Sequence, residues 1–303
     1  MEQTMFTNEV ILSWLRYFSQ NVPFNLAKLK MLDITGKNRN LIPTVMFNRA
    51  VLVFTDAGHP DIFYDMWNAE LGDCDIWYNE GSEPSGEIKH NKLSDMIHRG
   101  INASAAMLIM NPHAAANNPI GIENSRFSCG SVHYVCREVR AIIMNKLNLG
   151  DQDNICIVSG ESIAVESAML AGEGSVIAVE YDRRDRATME ENIAKFGLHN
   201  VTIIESLQEG FPDTLPVPNR AFIVASSPRI DNEIKSLLAV NPDLDFLIYT
   251  LDFEILTSLP ALLRENGLER TEAIHIVVSR VNSKNMSEPF PAPWLISAQR
   301  IKE

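Results

Sequence analysis

Residues 154–180 read NICIVSGESIAVESAMLAGEGSVIAVE, and this stretch decides the fold. Two short, mostly apolar runs, 154–158 and 175–179, have the length and the composition of buried strands. The residues between them predict a helix over 163–170, with turns on either side. A strand, a helix and a second strand in this order predict a parallel βαβ unit.

The same alternation continues on both sides of this unit. Asp182 is a suitable N-cap for a helix that ends near Phe196, and Gly197 suits the position just after that helix. Further strands are predicted at 201–205, 221–225, 244–250 and 274–280, and further helices at 134–147, 231–239 and 253–266. This series predicts an α/β fold with a doubly wound, Rossmann-type sheet.

The first part of the chain predicts a smaller α/β domain. Its predicted elements are helices at 8–20, 61–70 and 92–99 and strands at 50–54, 75–80 and 105–110. Residues 111–132 are rich in Asn, Pro, Gly, Ser and Ala, a composition typical of a linker. We therefore expect two domains, 1–120 and 121–303.

The composition excludes several classes of protein. Hydrophobic residues make up 46% and charged residues 21% of the 303 residues, which are ordinary globular values. The 26 basic and 39 acidic residues give a net charge of −13, which argues against a nucleic-acid partner and a basic membrane anchor. The longest apolar run, 105–110, is too short to span a bilayer. We expect a soluble, cytoplasmic protein that binds neither nucleic acid nor membrane.

The spacing of cysteine and histidine residues predicts no metal site. The four cysteines form no CxxC pair, so we expect reduced thiols. The seven histidines form no HxH or HExxH motif. The motifs of a nucleophile elbow and of a phosphate-binding P-loop are also missing from the sequence, which argues against a serine hydrolase and an NTPase.

A series of residues in the second half carries a resemblance to a known family. The series is Arg137-Glu138-Val139-Arg140-Ala141, Ala164-Val165-Glu166, Ala178-Val179-Glu180, Asn192 and Phe196-Gly197. It resembles the decarboxylating precorrin-6Y C5,15-methyltransferases of cobalamin biosynthesis. The resemblance implies a class I methyltransferase domain, S-adenosylmethionine as cofactor and a corrin precursor, a tetrapyrrole, as substrate.

The first half resembles part of a tetrapyrrole methylase domain, which that family often carries ahead of the decarboxylating domain. Residues 51–56 with His59-Pro60 resemble the start of the second half of such a methylase, and 106–110 resemble its last long strand. The stretch before the linker is about half as long as a complete methylase domain. We therefore interpret 1–120 as truncated. Whether another chain supplies the missing half stays open.

In the family, the cofactor binds at a glycine-rich loop after the first strand and at an acid after the second. The family pattern Asp-Ile-Gly-Ala-Gly-Ser-Gly-Ser falls on 155–162, where the acid is absent and at most one glycine remains. The resemblance places Ser159, Gly160 and Glu161 in this loop. It places Glu180 at the ribose-binding acid, and Ser206 at the glycine position after the third strand.

Two of these residues have alternative interpretations. If Glu161 faces the pocket, it repels the carboxylate of S-adenosylmethionine. If it begins the following helix, the helix dipole favours its charge. Glu180 is either a ribose ligand or an exposed carboxylate at the end of a strand. Because the glycine loop is altered, we expect the cofactor to bind weakly or not at all, with a Kd above about 1 mM.

The resemblance also gives expectations about substrate and assembly. Arg137 and Arg140 lie three residues apart on one helix face and are candidate substrate-binding residues. We assign no catalytic residue. A homo-oligomer is expected, because the family's C-terminal domains associate. The chain is either a decarboxylating methyltransferase or a non-catalytic homologue that acts as a scaffold or partner subunit. A third alternative is another ligand in the same cleft.

Overall fold

The chain folds into two units in the computed structural model, which describes residues 7–36, 39–114, 120–130, 135–226, 228–281 and 283–301. The first unit contains Met1–Asn118 and Lys195–His199, and the second contains Pro119–Ala194 and Asn200–Glu303. Within the described ranges, no helix combines the length and the apolar composition that crossing a membrane requires.

The first unit is built on a five-stranded sheet. Its helices are α1 (Asn8–Asn21), α2 (Leu41–Phe47) and α3 (Ile62–Asn68), and its strands are β1 (Lys30–Asp33), β2 (Ala50–Thr55), β3 (Asp75–Tyr78), β4 (Lys89–Lys92) and β5 (Ala105–Met110). The strand order is β1-β2-β5-β3-β4. The pair β1–β2 is parallel and the other three pairs are antiparallel.

Strand β2 explains why this sheet has a core on each face. All six of its residues are buried. Val51 and Val53 pack with residues of α2 and α3, whereas Leu52 and Phe54 pack with Trp14 and its neighbours on α1. Successive side chains of a strand point to opposite faces. A strand that is buried on both faces is therefore stable only where other elements cover both sides, as helices do here.

The second unit is built on a seven-stranded sheet. Its helices are α4 (Arg137–Leu147), α5 (Glu161–Leu170), α6 (Arg183–Lys195), α7 (Ile230–Val240) and α8 (Phe253–Glu265). Its strands are β6 (Asn154–Val158), β7 (Ser175–Val179), β8 (Val201–Ile204), β9 (Arg220–Val224), β10 (Asp245–Thr250), β11 (Leu268–His275) and β14 (Trp294–Arg300), while β12 (Ser279–Val281) and β13 (Ser287–Pro289) form a separate two-stranded sheet.

The strand order of the large sheet is β11-β14-β10-β9-β6-β7-β8. The pairs from β8 to β10 are parallel, and β14 is antiparallel to both of its neighbours. The predicted α/β fold, with a doubly wound, Rossmann-type sheet preceded by a smaller α/β domain, is confirmed. From β6 the chain first builds outward through β7 and β8 and then returns to place β9 on the other side. Ligands of such sheets bind at this switch point, outside the carboxyl ends of the strands.

Two predicted elements differ from the structure, and strands β4 and β14 were not predicted. The helix predicted at 92–99 is a 3-10 turn, Leu93–Asp95, which follows the unpredicted strand β4. Strand β4 has the sequence KHNK and lies at the edge of its sheet, so it needs no apolar face. The strand predicted at 274–280 is divided between β11 and β12, and β14 was not predicted. Strand β14 is placed by pairing with β10 and β11, which are distant in sequence.

Part of the predicted linker belongs to the second unit. The backbone N–H of Ile122 donates to the carboxylate of Glu166 at 2.9 Å, and the N–H of Ser128 donates to the side chain of Asn192 at 2.7 Å. Both acceptors are fully buried. These hydrogen bonds order a segment whose composition indicates a loose linker. The rest of that stretch includes 115–119 and 131–132, which lie outside the described residues.

Candidate functional site

The loop after β6 keeps a glycine-like turn at a serine. Ser159 has a φ of +54°, in the left-handed region that costs a non-glycine residue about 1–2 kcal/mol. Its N–H donates to the carbonyl of Val179 at 2.9 Å, which connects the loop to the end of β7. The loop therefore has a left-handed backbone conformation that favours glycine, although the residue at this position is a serine.

Gly160 brings this loop against the core. A Cβ at this position would lie 2.8 Å from Cγ2 of Ile157 and 3.1 Å from Cε1 of Phe222. Contacts this short require Ile157 or Phe222 to move, so a larger residue would displace the loop from the ends of β6 and β9. Gly160 therefore allows the backbone of the loop to pack closely on the side chains of Ile157 and Phe222.

Glu161 is the first residue of α5, and its side chain turns toward α6. Its carboxylate accepts a hydrogen bond from the side-chain amide of Asn192. Burial raises the pKa of Glu161 to about 7, the neighbouring Asp185 and Glu180 contribute in the same direction, and the bond from Asn192 opposes the shift. Of the two interpretations, the helix-starting one is correct. The carboxylate nevertheless lies close enough to Glu180 for the two charges to repel each other.

Glu180 directly follows β7 and is only 8% exposed. Its carboxylate accepts the N–H of Asp182 at 3.2 Å, and its own N–H donates to the carbonyl of Ile204 at 3.0 Å. Burial raises the pKa of Glu180, and the charge of Asp185 adds to this effect. The interpretation of Glu180 as an exposed carboxylate is therefore wrong. It stands buried at the strand end where the resemblance places a ribose ligand.

A network beside Glu180, formed around the buried Glu233, was not predicted. The hydroxyl of Tyr181 donates to Oε1 of Glu233 at 2.8 Å, and the guanidinium of Arg229 lies 4.4 Å from the centre of the Tyr181 ring. Glu233 is 1% exposed, and burial raises its pKa. These residues come from the loop after β7, from α7 and from the residue before it. No local motif marks them, because only the strand order brings these segments together.

Ser206 lies in the turn after β8 and is partly buried. Its hydroxyl accepts the N–H of Gln208 at 3.4 Å, a contact within the turn. The preceding Glu205 pairs with Arg186 at 3.1 Å, and Arg186 also donates to the carbonyl of Glu180 at 2.9 Å. Arg186 therefore connects the ends of β7 and β8, and the predicted residues Glu180 and Ser206 come from neighbouring strand ends.

The carboxyl ends of β9 and β10 border a cavity of about 320 Å³. Ala225 and Ser226 line it after β9, and Tyr249 and Asp252 line it at β10. Burial raises the pKa of Tyr249 to about 12. Ser227, the next residue after Ser226, lies outside the described residues. Because this edge of the sheet is the ligand-binding edge of doubly wound folds, the cavity is the candidate substrate site.

Arg140 is a core residue, which corrects the prediction that it binds substrate. Its side chain is fully buried, and its Nε donates to Oε1 of Glu166 at 2.8 Å. The guanidinium also donates to the side chain of Asn124 at 2.9 Å and to the carbonyls of Val135, at 2.6 Å, and Ile122. A substrate cannot reach a guanidinium that protein groups enclose in this way.

Arg137 differs from Arg140 although both lie on α4. Its side chain is 39% exposed and forms ion pairs with Glu123 and Glu138. A spacing of three residues turns a helix by about 300°, so the two side chains diverge by about 60°. That angle places Arg140 in the core and Arg137 at its rim. The substrate-binding role of Arg137 stays a prediction.

No protein-family model and no curated protein matches the sequence. Among solved structures, precorrin-6y C5,15-methyltransferase from Geobacter metallireducens GS-15 matches with a TM-score of 0.56 at 24% identity, over 60% of this chain and 98% of that one. The second unit has a class I methyltransferase fold. Precorrin 8w decarboxylase from Methanobacterium thermoautotrophicum matches with a TM-score of 0.51 at 21% identity, over 59% of this chain and 100% of that one.

The residues of this methyltransferase fold suit one end of S-adenosylmethionine better than the other. The carboxylate of Glu180, at the end of β7, is of the type that binds ribose hydroxyls. At the loop, the acid of the family pattern is absent, and the carboxylate of Glu161 is engaged with Asn192 of α6. Residues 155–162 hold a single glycine, and Gly160 is used for packing. The residues present therefore include the strand-end acid of such a site but not its glycine-rich loop.

Proposed function

We propose that the chain is a homologue of the decarboxylating precorrin C5,15-methyltransferases that acts on a corrin precursor in cobalamin biosynthesis and binds S-adenosylmethionine weakly. The observation that carries this proposal is the position of Glu180 at the end of β7, beside the left-handed turn at Ser159 after β6. The two solved structures of similar fold support the assignment, since one is a precorrin methyltransferase and the other a precorrin decarboxylase.

The candidate substrate site limits how a tetrapyrrole can bind. A cavity of about 320 Å³ is near the lower limit for a drug-sized ligand, and a tetrapyrrole macrocycle is larger. We therefore expect only one edge of the macrocycle, with a single acetate or propionate side chain, to enter the space between Ser226 and Tyr249. The rest of the ligand would remain outside the cavity.

Calorimetric titration with S-adenosylmethionine and S-adenosylhomocysteine tests the cofactor site. At pH 8 we expect a Kd above about 1 mM, and we expect Glu180→Ala to change it little. A single hydrogen bond to a charged group contributes about 1.5–3 kcal/mol, which is too little to offset the cost of immobilising the ligand. Micromolar binding that Glu180→Ala abolishes would overturn the weak-binding part of the proposal.

A second candidate is a non-catalytic homologue that serves as a scaffold or partner subunit. The loop after β6 favours it, because residues 155–162 hold a single glycine and Gly160 is used for packing. The discriminating assay offers a corrin precursor with labelled S-adenosylmethionine to the native chain and to Glu161→Gln at pH 8.

The two candidates give opposite results in that assay. Methyl transfer by the native chain supports the enzyme and rejects the scaffold. If neither chain transfers a methyl group, and the native chain co-elutes with a complete tetrapyrrole methylase without added cofactor, the scaffold is supported. Methyl transfer by Glu161→Gln but not by the native chain would show that the carboxylate of Glu161 blocks the reaction.

A further inference from the structure

The first unit contains a cavity of about 450 Å³ that the proposed function does not use. It lies at the edge of the five-stranded sheet where β2 and β3 end and β5 begins. Phe63, Met96, Ile101 and Met107 contribute apolar lining. Pockets of this volume and lining are typical of small-molecule sites when a few polar groups converge on them.

One such polar group is the hydroxyl of Thr55. Thr55 is the last residue of β2, lines this cavity and has no exposed surface. Its Oγ1 makes no hydrogen bond with any group that the structure describes. A buried hydroxyl without a partner is costly, and unpaired groups of this kind are rare in proteins. The hydroxyl of Thr55 therefore lies in the wall of the cavity without a hydrogen-bond partner among the described residues.

The second polar group is the guanidinium of Arg99, which also lines the cavity. It lies 4.5 Å from the centre of the Tyr78 ring, donates to the Tyr78 hydroxyl at 2.9 Å and donates to Glu80 at 2.5 Å. Lys89 shares the same Glu80 carboxylate at 2.8 Å. Glu80 also lines the cavity, so its carboxylate shares this site with Arg99. Because a guanidinium has five donors and two are engaged here, Arg99 is held in place with donors to spare.

The rim of the cavity is also held in position. The side-chain amide of Asn79 donates to the carbonyl of Glu83 at 2.6 Å and to that of Ser85 at 2.9 Å. These bonds fix the turn that contains Gly81 and Ser82, which both line the cavity. A site whose rim and cation are fixed in the free protein loses little entropy when a ligand binds.

We propose that this cavity binds a small carboxylate with an apolar body, whose carboxylate pairs with Arg99 while a second polar atom reaches the hydroxyl of Thr55. Arginine suits this role because its planar fork binds a carboxylate through two parallel hydrogen bonds. The apolar side chains accommodate the body of the ligand. The proposal concerns the first unit alone and does not depend on the cofactor site of the second.

Methyl NMR of the full chain tests the proposal directly. Samples carry ¹³C-labelled Met and Ile methyl groups, so that Met96, Met107 and Ile101 report on the cavity. The probes are phenylacetate and 4-hydroxyphenylacetate, each with its neutral amide. We expect both carboxylates to shift these three methyl signals with a Kd of about 1 mM or tighter, and we expect the amides to bind at least tenfold more weakly.

Three variants assign the contacts. Arg99→Gln should weaken both carboxylates at least tenfold. Lys89→Gln is the matched control, because Lys89 pairs with the same Glu80 without lining the cavity, and it should bind both probes. Thr55→Val should weaken 4-hydroxyphenylacetate several-fold and leave phenylacetate unchanged. Equal binding of acids and amides, or shifts that spare the three methyl groups at 5 mM probe, overturn the proposal. An unchanged affinity in Thr55→Val overturns the role of its hydroxyl.

Discussion

Glu161 shows how partial burial and neighbouring charges change the acidity of one carboxylate. It begins α5, where the helix dipole favours a negative charge, yet it is shielded from water and lies near Glu180 and Asp185. The net effect raises its pKa to about 7, so burial and repulsion outweigh the dipole. The charged form is therefore disfavoured in the folded state relative to the unfolded chain, in which the pKa is near 4.5.

We predict that Glu161→Gln stabilises the protein in a pH-dependent way. Because the folded-state pKa lies above the unfolded one, stability falls as pH rises from about 4.5 to about 7 and is then constant. The variant should therefore match the native chain near pH 4.5 and exceed it by about 1–3 kcal/mol at pH 8. Urea denaturation at the two pH values measures this difference. Glu254→Gln, in the exposed first turn of α8, should change neither value, and an equal gain in both variants would contradict the explanation.

At the scale of elements, a buried ion pair connects α4, α5 and the segment before α4. Glu166 of α5 accepts hydrogen bonds from Arg140 and from the backbone N–H groups of Gly121 and Ile122. Both charged side chains are fully buried. Such a pair adds little net stability compared with apolar residues, but removing one partner leaves an uncompensated buried charge. The Arg140–Glu166 pair therefore holds α4, α5 and the segment before α4 in their relative positions.

We predict that Arg140→Met lowers the free energy of unfolding by about 3–5 kcal/mol, because it leaves Glu166 buried without its cation. Arg137→Met is the matched control. Arg137 lies on the same helix, but its ion pairs are exposed, and such pairs contribute at most about 1 kcal/mol each. Chemical denaturation of both variants measures the difference. Similar losses in the two variants would show that the Arg140 pair is not structurally special.

At the scale of the whole molecule, the second unit exposes several large apolar side chains. Phe253, Val277 and Val281 are each about 70% exposed, and Leu251 and Met286 are more than half exposed. Exposed apolar groups on a folded unit are a common feature of protein–protein interfaces. They are candidate interface residues for the assembly that the family resemblance leads us to expect.

We predict that the chain forms a homo-oligomer through the second unit. Light scattering at micromolar concentration should give a mass that is a multiple of 34.0 kDa. The double substitution of Phe253 and Val281 to serine should reduce that mass, because it removes apolar surface from the interface. Leu12→Ser, at an equally exposed site of the first unit, should leave the mass unchanged. A monomeric native chain would contradict the prediction.

Strands and helix ends that depend on neighbouring residues could be predicted from the sequence alone. The bounds predicted for β6 and β7 agree with the structure to the residue. Asp182 caps α6 by accepting the N–H of Arg184 at 2.7 Å, and Gly197 takes a φ of +60° just after the helix. Strand apolarity and helix capping depend on residues a few positions apart, so a single sequence carries these signals in full.

Features that depend on contacts between distant segments became evident only in the folded chain. Strand β14 is placed by two antiparallel neighbours, and the edge position of β4 permits its polar sequence. The helical spacing predicts that Arg137 and Arg140 lie on one face of α4. Packing against α5, however, buries only Arg140. The charge of Glu161 and the network around Tyr181 likewise depend on which groups exclude water. Desolvation and strand pairing are properties of the assembled sheet, and no local pattern of residues encodes them.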